Sequence, residues 1–181
     1  ILERRVPVTE ENPEKSKRGL YKIKDNYLRF WFAFIYPNMS FIESGHSGIV
    51  MDKIRRGLTT SHIGFVYEDI CQERMWELNV NNAWPFQFSQ LGGYWDAKNE
   101  IDIAALDPEG KNLILGECKY WKEPVGLNVL HALEAKAGDV AWERDRRKVW
   151  YVLFSISGFS DELRNHAATR DDLLLIDDGE R

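Results

Sequence analysis

Long apolar runs are missing from this sequence. Its longest aromatic stretch, "FWFAFIY" at residues 30–36, is far too short to cross a bilayer, and no secretory signal pattern is visible. Cysteine is scarce: Cys71 and Cys118 are the only two, each inside an apolar segment. That argues against a disulfide framework, and the four histidines (His46, His62, His131 and His166) have no ligand spacing for a zinc site. Reduced core thiols suit an intracellular, cytoplasmic protein. A surplus of positive charge is also lacking, since 24 Lys and Arg face 29 Asp and Glu for a formal net charge of −5. Such a chain does not hold nucleic acid by bulk electrostatics, so any contact has to be local. There is no internal repeat and no Walker-type phosphate loop, so ATP hydrolysis is not expected of these residues.

What is present describes a soluble-type globular chain. The 181 residues are 44% hydrophobic and 29% charged, enough for one domain with a core and a small appendage. Aromatics at 13%, with seven Trp, imply a well-packed interior or a partner-facing surface. Residues 1–24 are polar and rich in Lys and Arg around "KSKRGLYKIK", which predicts an extended basic connector. The sharper alternative is a strap that meets nucleic acid or an acidic partner. The chain starts at Ile1, and "ILERRVPVTEENPEKSKRG" reads as a linker, so a C-terminal piece of a longer protein is expected; a chain trimmed for expression would look the same.

From Asp25 the pattern turns helical. Asp25 can cap "NYLRFWFAFIY", a helix apolar nearly all round and so predicted to be buried, with Pro37-Asn38 as its stop. A second helix is expected through "SGIVMDKIRRGL", completing a helical extension over residues 25–62. A third follows Ser61 to about Leu78, with Ile63, Val66, Tyr67, Ile70, Cys71, Met75 and Leu78 as its apolar stripe and Glu68 at the edge of that stripe. The period then changes to two. "AWPFQF", "EIDIAAL" and "NLILGECKYW" read as three strands, the last two joined by the turn "DPEGKN". A helix through "GLNVLHALEAKAGDV", a strand "KVWYVLFSI", a short helix capped by Ser160 and a strand "LLLID" complete residues 63–181. The order predicts a mixed α/β domain with a strand–helix–strand crossover.

One strand carries charges where an interior strand should not. In "LILGECKYW", Glu117 and Lys119 share a face with Leu113 and Leu115. In the strand before it, Glu100, Asp102 and Ala104 share a face, with Ile101, Ile103 and Ala105 behind. If the hairpin forms, Asp102, Glu117 and Lys119 project together, with Glu100 close by. Unpaired charges taken from water cost several kcal/mol each, and a divalent cation removes that objection. Mg²⁺ takes a few carboxylate oxygens plus waters, which Asp102, Glu117 and the backbone carbonyl of Cys118 could supply. Lys119 would stand beside a bound water and stabilise charge developing on a phosphate. Acid-x-Lys alone is a weak signal, occurring also at Asp96/Lys98, Glu109/Lys111 and Glu134/Lys136; only Glu117/Lys119 lies in an apolar strand. The plain alternative is a surface salt bridge on an edge strand. Lys136 is one helix away and could face the same site, and Trp95, Trp121 and Trp142 could stack on bases.

With Glu68, Asp102, Glu117 and Lys119 in view, the sequence resembles the PD-(D/E)XK nuclease-like superfamily. More narrowly, "KSKRGLYKIKDNYLRFWFAFIYPN", "EIDIAAL", "GECKYW" and "FSISGF" resemble the C-terminal domain of archaeal-type ATPases. The resemblance covers nearly the whole chain. It implies a restriction-endonuclease-like mixed sheet flanked by helices and a candidate metal site at Glu68, Asp102, Glu117 and Lys119. The expected activity is metal-dependent DNA phosphodiester hydrolysis: Asp102 and Glu117 hold Mg²⁺ or Mn²⁺, Lys119 positions the water, and Glu68 assists through a second metal or a bound water. It also implies DNA and the upstream ATPase domain as partners. Two other classes stay open: a catalytically silent module that binds nucleic acid or the ATPase core through its aromatic helix, and a homo-oligomerisation domain.

Overall fold

A computed structural model describes residues 1–179. Its centre is a five-stranded mixed sheet in the order β3-β4-β5-β6-β7, built from Gln90–Trp95, Glu100–Leu106, Asn112–Lys119, Lys148–Ser155 and Leu173–Asp177. β3, β4 and β5 form an antiparallel meander, while β5, β6 and β7 run parallel. The parallel pairs are joined by helices α5 (Leu127–Ala137) and α6 (Asp161–Ala167), because a parallel connection must cross over the sheet. Helix α4 (Gly64–Val80) covers the opposite face. Its Tyr67, Cys71 and Met75 pack with Ile103, Ile114, Cys118 and Phe154, whereas Leu113, Leu115 and Leu153 pack with Leu130 and Leu133 of α5. This is the mixed sheet flanked by helices that the sequence implies.

The start of α6 and the β4–β5 turn follow their sequence signals. Gly110 takes a positive φ of 72° in the "DPEGKN" turn, and Ser160 Oγ accepts the Leu163 N–H to cap α6. Gly116 serves a different purpose. A Cβ there would lie 2.6 Å from Val152 Cγ1 and 3.1 Å from Ile103 Cβ, so glycine lets β5 nest between its two neighbours.

Several expectations need correction. The first strand of the meander is Gln90–Trp95, not "AWPFQF". Pro85 removes a ladder donor, and the Phe88 backbone is taken by the Asn79 side chain instead: Phe88 N–H donates to Asn79 Oδ1 and the Phe88 carbonyl accepts from Asn79 Nδ2, both at 3.0 Å. Residues 1–24 are not an extended linker: β1 (Leu2–Arg5) and β2 (Leu20–Ile23) pair as an antiparallel hairpin. The aromatic helix is not buried all round. Asp25 caps it as expected, with Leu28 N donating at 2.8 Å, but Phe34 is its one buried aromatic and Tyr27, Phe32 and Tyr36 are exposed. It runs as α1 (Asn26–Phe30), a π-turn (Trp31–Ile35) and a 3₁₀ turn (Tyr36–Asn38) into α2 (Met39–Glu43). Pro37 does not stop it: it stands second in the 3₁₀ turn, and the opening positions of a helical turn need no N–H. Finally, α3 (Ser47–Leu58) passes through a π-turn (Thr59–Ile63) directly into α4, and Ile70 of the expected stripe is 50% exposed.

Candidate metal centre

The charged strand residues meet where β4 and β5 part. The β3–β4 register shifts between Gly92 and Tyr94, so β4 carries one extra residue there, a β-bulge. The alternation expected along "EIDIAAL" therefore slips. Ile101 packs on the α5 side with Ala104 and Leu106, while Ile103 and Ala105 pack on the α4 side. Asp102 stands at the slip. The regular β4–β5 pairing begins only at Ile103 and Gly116, and beyond it the Asp102 carboxylate acts as a ladder acceptor, taking the Cys118 N–H at 2.9 Å. Gln72 of α4 holds the other side of the bulge by donating Nε2 to the Asp102 carbonyl at 3.2 Å.

Lys119 lies between the two strand carboxylates. Its Nζ is 2.5 Å from Glu117 Oε2 and 3.6 Å from Asp102 Oδ2. Lys136 of α5 takes the second oxygen of Glu117, Nζ to Oε1 at 2.7 Å, and also donates to the Glu100 carbonyl at 2.7 Å. Glu117 is only 7% exposed at its side chain, so an unpaired carboxylate there would be costly. Burial pushes its carboxyl up, but Lys119 and Lys136 outweigh burial and hold it below the usual range. Asp102 goes the other way: burial first, then the charge of Glu117, raise it. Lys119 resists the downward push of burial and is held above its usual value by Asp102 and Glu117. The pair thus behaves asymmetrically, with Asp102 the more readily protonated carboxylate.

Glu68 approaches Asp102 from α4. Burial, followed by the charge of Asp102, raises its carboxyl to about 7. It lines a small cleft with Asp102, Gln72, Glu100, Trp95 and Lys22. Asp102, Glu117 and Lys119 are thus brought together, and Glu68 adjoins Asp102 but not the Glu117–Lys119 pair in that cleft. Cys118 enters through its N–H; its thiol, buried beside Cys71, is pushed well up by burial. Among the described residues no three His, Cys, Asp or Glu side chains form a ready-made metal cage. Of the tryptophans, Trp121 is exposed with Lys119 Nζ 5.7 Å from its ring centroid. Trp95 gives its Nε1–H to the Arg18 carbonyl, and Trp142 packs partly buried against the core.

Sequence reasoning missed Gln72 and Lys22. Gln72 is four residues after Glu68 and so shares its helix face, a spacing that could have been noticed. Lys22 has no such signal, because the hairpin that carries it was not foreseen.

Residues 31–137 match DUF234, a family described as archaea bacterial proteins of unknown function. The chain belongs to this family. A 123-residue stretch is 40% identical to the uncharacterised protein MJECL04 of Methanocaldococcus jannaschii, covering 68% of this chain and 27% of that protein. The chain therefore spans about a quarter of the length of the curated relative it matches. Among solved structures, a repair endonuclease from Pyrococcus abyssi aligns with a TM-score of 0.36 at 13% identity, over 57% of this chain and 44% of the other. A complex of EndoMS with dsDNA2 aligns with a TM-score of 0.36 at 15% identity, over 59% and 44% respectively. No helix among the described residues is long and apolar enough to cross a membrane.

Proposed function

We propose that this DUF234 domain is a divalent-metal-dependent phosphodiesterase acting on DNA. The observation that carries this reading is the junction of Asp102, Glu117 and Lys119 at the β4 bulge, with the ammonium set against both carboxylates. A buried carboxylate beside a partly buried one that is held above its usual range suits a small hard cation that keeps several of its own waters. Asp102 and Glu117 would hold Mg²⁺ or Mn²⁺, with the Cys118 carbonyl as a further oxygen. The ion, when bound, supplies charge neutralisation and a more acidic water. Lys119 then orients the attacking water by hydrogen bonding and offsets the charge developing on the phosphate oxygens. Glu68, which lines the same cleft as Asp102 and titrates at about 7, would assist through a second metal or a bound water. Lys136 keeps Glu117 in its rotamer through Oε1.

The test is titration calorimetry with Mg²⁺ and Mn²⁺ on the wild type beside Asp102→Ala, followed by cleavage of supercoiled and linear DNA. Binding in the wild type that vanishes in the variant, with metal-dependent cleavage, is the expected result. Equal heats in both proteins would sink the assignment.

A second reading has its own support. Both Glu117 oxygens are already satisfied by lysines, so two carboxylates and two ammonium groups balance without a metal. On this reading the domain is a catalytically silent module, binding nucleic acid or an ATPase domain of its own full-length chain through the exposed aromatic face of residues 26–36. Partner binding that survives Asp102→Ala but fails in Tyr27→Ala/Phe32→Ala would favour it. Self-association through the same face predicts sedimentation that changes with protein concentration.

A further inference from the structure

The N-terminal hairpin is more than an attachment. Seven Lys or Arg and four Glu fall within residues 1–24, whereas the chain as a whole carries a net −5. The hairpin is fixed to β3 at two points and to α4 at a third. Val8 N donates to the Gly93 carbonyl at 3.0 Å, Trp95 Nε1 to the Arg18 carbonyl at 2.9 Å, and Arg5 pairs with Asp69 of α4 at 3.1 Å. Its long loop is tied internally by Arg4, whose guanidinium donates to the carbonyls of Pro13 and Ser16, both at 2.6 Å.

The internal acids are partly consumed. Glu10 takes Arg18 and Ser16, and Glu3 takes Arg5. Lys15, Lys17, Lys22 and Lys24 form no ion pair among the described residues, against Glu11 and Glu14 on the acidic side. Lys15, Lys17 and Lys24 are exposed. Lys22 is the inner member of the set. It lines the cleft that holds Glu68 and Asp102, with its ammonium 5.3 Å from the centroid of the exposed Phe65 ring. Lys22 and Lys24 are two residues apart in sequence, about 6.6 Å in extended backbone, so they offer charge in a row rather than at a point.

We propose that this hairpin is a strap for a nucleic-acid phosphate backbone, with Lys22 as its innermost contact beside Asp102. The inference rests on the phosphodiesterase reading for its choice of partner and names the surface that would present the substrate. A duplex carries one charge per 1.7 Å of axis, and each phosphate neutralised by a lysine releases counterions. A locally cationic, rigidly anchored ribbon next to a carboxylate centre fits that polymer. It also answers how a chain of negative net charge could hold DNA: by one surface rather than by its overall field.

The test is fluorescence anisotropy with a labelled 20-base-pair duplex between 50 and 200 mM KCl, on the 181-residue chain. EDTA is present throughout, so the readout depends neither on bound metal nor on cleavage. Lys15→Glu/Lys17→Glu is expected to weaken binding about tenfold or more and to reduce the salt slope by about 2, and Lys22→Ala to reduce it by about 1. Lys148→Glu, at the opposite end of β6, should leave the slope unchanged. Circular dichroism and urea midpoints confirm that each variant is folded, and Lys22→Ala keeps the test open if the double variant is not. Slopes equal to wild type in both hairpin variants would overturn the strap. So would a wild type that ignores DNA but binds polyglutamate, which would point to an acidic protein partner. A wild type that binds DNA with the expected slope but gives no Mg²⁺ or Mn²⁺ heats in the calorimeter would instead overturn the phosphodiesterase reading and leave the strap standing.

Discussion

Lys136 and Glu117 meet across the space between α5 and β5, with Nζ 2.7 Å from Oε1. The same ammonium reaches the Glu100 carbonyl at the start of β4, so one side chain ties a helix and two strands. Lys136→Met leaves Glu117 buried with Lys119 as its only cation. Loss of one partner from a largely buried pair should cost roughly 1–3 kcal/mol in urea unfolding with EDTA present. A midpoint unchanged from wild type would mean the pair carries no net stability.

Glu68 gives a pH-dependent test. Its folded carboxyl sits at about 7 against an ordinary 4.5, so the folded state holds this proton more tightly than the unfolded chain does. The stability linked to that proton is fully present below about pH 4.5 and is lost as pH rises through about 7. Glu68→Gln removes the loss. In metal-free buffer the variant should be more stable than wild type at pH 8, on the order of 1–2 kcal/mol after allowing for solvent screening. The two proteins should converge at pH 4. A difference that stays constant with pH would refute the assignment.

Asp102 combines two functions that substitution can separate. Asn keeps an oxygen for the Cys118 N–H but removes the charge, while Ala removes both. Asp102→Asn should therefore keep near-wild-type stability and lose the Mg²⁺ heats. Asp102→Ala should lose the heats and about 1–3 kcal/mol as well, because the Cys118 N–H loses its acceptor. Equal stability of the two variants would show that the hydrogen bond is replaced by water.

Gly116→Ala tests the strand packing. Its Cβ would lie within 2.6 Å of Val152 Cγ1 and 2.9 Å of the Val152 carbonyl, and overpacking of this kind costs about 1–3 kcal/mol. Thermal unfolding should show a clearly lowered midpoint. Because Gly116 precedes Glu117, metal binding should weaken in parallel.

Much of this was legible in the sequence, and the failures have physical causes. "EIDIAAL", "NLILGECKYW" and "KVWYVLFSI" are dense in strand-forming apolar residues, and their structures follow. Asp102, Glu117 and Lys119 were legible because charge in an apolar strand demands a partner. The Gln90–Trp95 strand was hidden by the Gly92-Gly93 pair, which carries no strand propensity yet lets β3 pair across the bulge. The bulge itself is invisible to a period-of-two reading, which assumes an unbroken pleat. The N-terminal hairpin was masked by its polarity, since main-chain pairing and the Arg4 ties to carbonyls leave no hydrophobic pattern.

The position of β5 has a consequence in time. Its partners on one side are local, since Ile103 pairs with Gly116 through a short turn. On the other side Glu117 aligns with Leu153, beyond α5 and the loop that follows it. The hairpin can thus form early, carrying Asp102 and Glu117 with it, while the parallel half waits for a long loop to close. Non-local pairing of this kind sets refolding toward milliseconds to seconds rather than microseconds. Lys136 rides on the slow segment, so Glu117 gains its second cation only when the crossover docks. The rate at which the centre matures is then the rate at which the sheet is completed.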